Sequence, residues 1–205
     1  MKTKLFIAAA AFALLAPASA QQKAKVDPAL VDKYIASGFK SAPPEWQARF
    51  VQDETQKVCT EHRNHPPNAV ISQILAREKA KIMYPHDGQF LGDWQKGERS
   101  AQSGYGWRFT DTNTSRANGG NCYACHQIEK KELSFGTIGP SLAEYGKVRK
   151  FAPAEAKALY ERIYNSNAVS ACSNMPRFGV AKFLTPEQIK DIVAYLMSPD
   201  SPVNK

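Results

Sequence analysis

The run Asn121-Cys122-Tyr123-Ala124-Cys125-His126 holds the residue types best suited to chemistry. Two thiols spaced i, i+3 on one turn can each form a thioether to a vinyl group of one haem. The histidine directly after them is then placed to bind the iron from the proximal side. C-x-x-C-H is the attachment signature of a c-type haem. The same C-x-x-C could be half of a zinc site or a redox dithiol. Zinc would need two more ligands at short spacing, and none follow. A redox dithiol would sit between a strand and a helix, and no strand pattern is visible.

His126 supplies one axial ligand, and a closed electron-transfer site needs a second. Met175, in Asn174-Met175-Pro176, offers a thioether on a proline-fixed, non-helical stretch. A soft, neutral sulfur stabilises iron(II) and raises the reduction potential. The rivals are a histidine, a Cys172 thiolate, which would favour iron(III), or an open iron. Met83 lies outside the haem region, and Met197 falls in a C-terminal helix where methionine usually packs. Between the two ligands, the turn Ile138-Gly139-Pro140 can present a carbonyl to the Nδ1–H of His126 and fix the imidazole. An ordinary Gly-Pro turn reads the same way. His62, His65 and His86 sit in polar, proline-flanked turns and read as solvated.

The elements that must position these groups are helices. Asp27-Pro28 opens a helix with Leu30, Val31, Tyr34 and Ile35 on one side, ending near Gly38. Pro43-Pro44-Glu45 opens a second, with Trp46, Phe50 and Val51 as its stripe and Cys59 at its end. After the break at Pro66-Pro67-Asn68 a third runs to about Met83 on Val70, Ile71, Ile74 and Leu75. A composition change at residues 92–97 marks the start of a haem domain, whose first helix is expected over Glu98 to Phe109. Thr110 to Gly120 reads as a solvated loop. Pro153-Ala154-Glu155 starts a helix bearing Ala158, Leu159 and Ile163, with Tyr160 and Tyr164 available to line the haem edge. Thr185-Pro186-Glu187-Gln188 combines an N-cap, proline at N1 and a T-x-x-Q capping box. Ile189, Ile192, Val193 and Leu196 form its stripe before Ser198-Pro199 ends it. The expected fold is all-α, a class I cytochrome c plan over residues 92–205 behind a helical N-terminal extension of residues 21–91.

Residues 1–20 read as a secretory signal. Lys2 and Lys4 form a positive n-region, Leu5 to Ala16 an apolar core, and Ala18-Ser19-Ala20 the cleavage site, placing the mature chain in the periplasm. No apolar run is long enough for a membrane span. Without the two signal lysines the net charge falls from +8 to +6. Basic segments at Lys130-Lys131 and Lys147–Lys150 flank the haem motif and suggest a face for acidic partners. Arginine clusters with interleaved aromatics, which nucleic acid would favour, are missing from the sequence. Export also bears on cysteine, because thiols outside the cytoplasm tend to pair. With Cys122 and Cys125 claimed by haem, Cys59 and Cys172 are expected to form a disulfide. Two buried thiols, or one reactive or metal-binding thiol, are the other readings.

The stretches GNCYACH, GTIGPSLAEYGKVR and ACSNMPRFGVAKFLTPEQIKDIVAYLMSPDSPVN make residues 92–205 resemble the SoxX family, the mono-haem subunits of SoxXA cytochromes in bacterial sulfur oxidation. The first stretch is common to many cytochromes c, whereas the other two are more specific. The resemblance implies one covalent haem c on Cys122 and Cys125, with His126 and Met175 as axial ligands. It implies a heterodimer with a SoxA-type cytochrome, where the bond-making chemistry takes place. There thiosulfate is coupled oxidatively to a cysteine of the SoxYZ carrier, an L-cysteine S-thiosulfotransferase activity. The SoxX-like chain would take up the electrons and pass them to a small cytochrome. A free-standing periplasmic electron shuttle shares every haem residue and differs in having no obligate partner. An enzyme or gas-binding protein with an open iron would require Met175 not to bind.

Overall fold

The computed structural model describes residues 27–205, so the expected signal peptide and its cleavage after Ala20 lie outside the described residues. The chain divides into two compact units, one ending at Ser41 and one running from Ala42 to Lys205. The first contains α1, Pro28–Gly38. Asp27 caps it by accepting from the Ala29 N–H at 3.0 Å, and Pro28 occupies the first turn, where its missing N–H costs nothing.

The second unit begins with a short helix α2, Pro44–Gln47, and a 3-10 turn at Ala48–Phe50. A separate helix α3, Glu54–Glu61, follows, and then α4, Asn68–Lys79. The sequence reading joined Pro44 to Cys59 in one helix, and the structure breaks it at Val51–Asp53. The reason is a capping box. The Asp53 carboxylate accepts from the Gln56 N–H at 2.9 Å, and the Gln56 side chain accepts from the Asp53 N–H at 2.9 Å. Helix α4 stops at Lys79, short of the expected Met83.

Next comes α5, Trp94–Gln102, earlier and shorter than the expected Glu98–Phe109. Asp93 sets its start by accepting from the N–H groups of Gln95 and Lys96, and extended Ser103 ends it. Irregular chain leads through the C-x-x-C-H motif to α6, Tyr145–Val148, then α7, Pro153–Tyr164, and α8, Pro186–Met197. Among the described residues there are helices and turns and no strands.

Helix α8 carries the reciprocal Thr185–Gln188 capping box and buries Ile189, Ile192, Val193 and Leu196. Each such side chain contributes roughly 1.5–3 kcal/mol on leaving water. Helix α5 packs across it at close range, because Gly97 has no Cβ. A Cβ there would lie 1.9 Å from the Asp191 carbonyl oxygen. Met197 is buried in the core, as expected for a packing methionine. A smaller apolar cluster of Cys59, Ile74 and Ala171, with Val70, Ile71 and Leu75 against it, joins α3 and α4 to the chain after α7.

Candidate functional site

Asn121 adopts φ 48°, in the left-handed region that asparagine tolerates better than most residues, and turns the chain into a 3-10 turn at Cys122–Ala124. His126 N–H donates to the Cys122 carbonyl at 2.9 Å. The following segment is laced back onto the motif. Gly136 N–H donates to Tyr123 O, and Gly139 N–H donates to Cys125 O, both at 2.8 Å. This brings the Pro140 carbonyl to 2.7 Å from His126 Nδ1. A carbonyl only accepts, so Nδ1 carries the proton and the lone pair of Nε2 is left for a metal. Gly139 makes the approach possible, since a Cβ there would lie 2.1 Å from His126 Cε1.

Met175 lies on an irregular loop between α7 and α8. Its carbonyl accepts from Ser166 Oγ at 2.5 Å and its N–H donates to Ser173 Oγ at 3.1 Å. The side chain is half-buried against the main core. The two thiols, His126, Pro140 and Met175 all line one cavity of about 570 Å³. That volume lies within the roughly 300–1,000 Å³ common for small-molecule sites. The walls are mostly apolar, with Ile128, Leu159, Ile163, Phe178, Ile192 and Leu196 among them. Paired thiols, an imidazole with a free Nε2, a thioether and apolar walls fit an iron macrocycle held by thioethers.

The two arginines of the cavity wall, Arg149 and Arg162, were missed from the sequence. Arg149 stacks on Tyr145, 3.6 Å from the ring centroid, and pairs with Glu155 at 3.2 Å. The spacing of Arg162 from Leu159 and Ile163 on α7 was the available signal. The tyrosines expected at the haem edge lie elsewhere. Tyr160 donates to the Met83 carbonyl at 2.8 Å and meets Phe90 edge-on, and Tyr164 stacks on Tyr160. One turn position separates them from the cavity-lining face of α7.

Cys59 and Cys172 form a disulfide with S–S 2.07 Å, so Cys172 has no thiolate to offer an iron. Cys122 and Cys125 are free of each other. Burial pushes the Cys122 thiol up to about 12. A redox dithiol needs a thiol pushed the other way. No group of three or more potential metal-ligating His, Cys, Asp or Glu occurs among the described residues. The basic flanks are partly neutralised: Lys130 and Lys147 share Glu144 at 2.9 and 3.0 Å, and Lys131 pairs with buried Glu129 at 2.8 Å.

Residues 109–199 match the family model for cytochrome c. The chain therefore contains a cytochrome c domain. It is also 37% identical over 202 residues to a protein of Aquifex aeolicus described as an uncharacterized lipoprotein, covering 98% of this chain and 96% of the relative. Such a domain implies covalently bound haem c and a role in electron transfer. The matched cytochrome span includes both thiols, His126, Pro140 and Met175, and leaves out α3 and α4. The likeness to the Aquifex aeolicus protein runs through those helices as well. No helix among the described residues is long and apolar enough to cross a membrane.

Proposed function

We propose that this cytochrome is the mono-haem electron-transfer subunit of a SoxXA-type complex, working in the periplasm. The observation that carries the haem reading is the convergence of Cys122, Cys125, His126 and Met175 on one apolar cavity. What favours this family over a general shuttle is the sequence ACSNMPRFG with the SPVN tail. The relative's description as a lipoprotein accords with export.

In this reading Cys122 and Cys125 would hold a single haem through two thioethers, with His126 Nε2 and the Met175 thioether as the groups that would bind its iron. The bound group supplies a one-electron iron(III)/iron(II) couple. The Pro140 carbonyl holds the imidazole in one tautomer and orientation and makes it a better donor. Arg149 and Arg162 offer cations to the carboxylates at the haem edge. With His126 and Met175 both given to the iron, this chain would pass electrons and leave bond-making to its partner. Residues 92–205 form the cytochrome domain and residues 21–91 its extension. A SoxA-type partner and the SoxYZ carrier supply the electrons, and a small cytochrome removes them.

Pull-down of the native protein from periplasm of thiosulfate-grown cells tests this reading. A second cytochrome should come with it, and the haem should be reduced when thiosulfate and the sulfur carrier are both present. A lone cytochrome indifferent to thiosulfate would make the free-standing shuttle the correct account and leave the haem chemistry standing.

A further inference from the structure

The loop carrying Met175 is tied at both ends to helices outside the matched cytochrome span. Three residues before Met175, Cys172 is bonded to Cys59 on α3. Two residues after it, Arg177 Nη1 reaches Asp53 Oδ2 at 2.6 Å and Glu78 Oε2 at 3.5 Å. Glu78 is 0% exposed and is itself fixed. It accepts from Thr55 Oγ1 at 2.5 Å, Lys81 Nζ at 2.6 Å and Asn165 Nδ2 at 2.9 Å. A buried carboxylate with that many partners is a rigid anchor, because losing any one leaves charge uncompensated.

Ala171 and Cys172, just before the loop, pack in the small apolar cluster with Cys59 and Ile74, but one side of the loop itself borders open space. A second cavity of about 420 Å³ lies there, with Gln52, Gln56 and Asn64 on one side and Ser173, Asn174 and Arg177 on the other. Polar walls around open space give little apolar adhesion. On that side the stretch from Ser173 to Arg177 therefore depends mainly on discrete ties.

We propose that α3 and α4 clamp the Met175 loop, and that the Cys59–Cys172 disulfide and the Arg177 ion pairs with Asp53 and Glu78 set how often the Met175 thioether leaves the cavity. Cys59, Cys172, Asp53, Glu78 and Arg177 are then positioning residues for the second axial ligand. This rests on the reading of Met175 as that ligand. The clamp is a conformational gate on the iron: an outside ligand binds only the open fraction, so its apparent affinity measures that fraction.

The test uses the full-length ferric holoprotein and imidazole as the probe. Apparent Kd is followed alongside the near-infrared methionine-to-iron charge-transfer band. The variants are C59A/C172A, Arg177→Gln, the milder Asp53→Asn, and Met175→Ala as the fully open reference. Lys190→Met, which removes the exposed Lys190–Asp87 pair at 2.8 Å, controls for general destabilisation. The expected result is imidazole affinity raised about tenfold in C59A/C172A and severalfold in Arg177→Gln and Asp53→Asn, with the control unchanged. Should C59A/C172A fail to fold, Asp53→Asn still decides, since it neutralises one half-buried partner of Arg177 at nearly constant volume. Clamp variants that bind imidazole no better than the control, while Met175→Ala binds it freely, would overturn the clamp alone. Met175→Ala with unaltered imidazole affinity would overturn the ligand reading, and the clamp with it.

Discussion

His126 is held by a carbonyl 14 residues away, whereas the loop of Met175 is held through bonds to residues 113 and 124 positions distant. The proximal side of the cavity is a local fold. Gly136, Gly139 and Pro140 return to the motif within a few turns of chain and fix it by backbone hydrogen bonds. The distal side is held from afar, by a disulfide and a buried charge network that join α3 and α4 to the chain after α7. Local contacts cost little loop-closure entropy, and distant ones cost more before they contribute. The proximal side should therefore survive perturbations that loosen the distal one.

The largest expected difference comes from the disulfide. Removing a native bridge typically costs about 2–5 kcal/mol, much of it through the unfolded chain. C59A/C172A should lower the unfolding free energy read from denaturant melts by that amount. Hydrogen exchange should quicken over residues 166–178 and leave residues 122–140 at wild-type protection. Equal loosening of both regions would erase the distinction.

Gly139→Ala probes the proximal side. Its Cβ would lie 2.1 Å from the His126 ring, so either the ring or the Pro140 turn must move. Overpacking of this kind costs roughly 1–3 kcal/mol. The variant should yield less holoprotein and shift the haem reduction potential, while the methionine band keeps its intensity. A lost methionine band with an unchanged potential would show the two sides to be coupled.

Acid provides the third contrast. Burial alone would raise Glu78, but hydrogen bonds from Lys81, Thr55 and Asn165 outweigh it and hold the carboxyl below its ordinary value of 4.5. Burial would raise Asp53 too, and the Gln56 N–H with the Arg177 guanidinium holds it below 3.8. Folded values below unfolded ones mean stability that is complete above the unfolded pKa and lost as pH falls through the folded one. The methionine band should therefore fade as pH drops below about 4.5, before the imidazole ligation reported by the haem spectrum changes. Glu78 faces Thr55, Arg77, Lys81, Asn165 and Arg177, and Glu78→Gln should flatten the acid limb. An acid profile identical in Glu78→Gln would remove that carboxylate from the account.

The same contrast decides what could be read from the sequence. Much that near neighbours govern was legible: C-x-x-C-H, the Pro140 carbonyl, the Pro153 start of α7, and α8 with its Thr185–Gln188 box. The pairing of Cys59 with Cys172 came from elimination, because haem chemistry claimed the other two thiols. The break between α2 and α3 was also local, but its D-x-x-Q box at Asp53 lay inside an apolar stripe that suggested continuity. What stayed hidden was long-range. A glutamate on the stripe of α4 reads as solvated, and nothing near it in sequence shows that Asn165 and Arg177 will surround Glu78. Arg149 and Arg162 reached the cavity wall for the same reason, since their neighbours there come from other elements.

The smallest effect tests whether the distal loop has any local support of its own. Ser166, fully buried, donates its hydroxyl to the Met175 carbonyl at 2.5 Å, across only nine residues. Ser166→Ala leaves that carbonyl without this donor, at a cost of about 1 kcal/mol and up to about 3 if it stays unsatisfied. If the distal ties carry the loop, this loss should lower global stability slightly and leave the methionine band in place while the disulfide is intact. In the C59A/C172A background the same substitution should cost more than it does alone, because the hydroxyl then holds the loop with fewer companions. A double-mutant cycle on the imidazole affinity measures that coupling. Additive effects would mean that the local bond and the distant clamp act on separate motions of the loop.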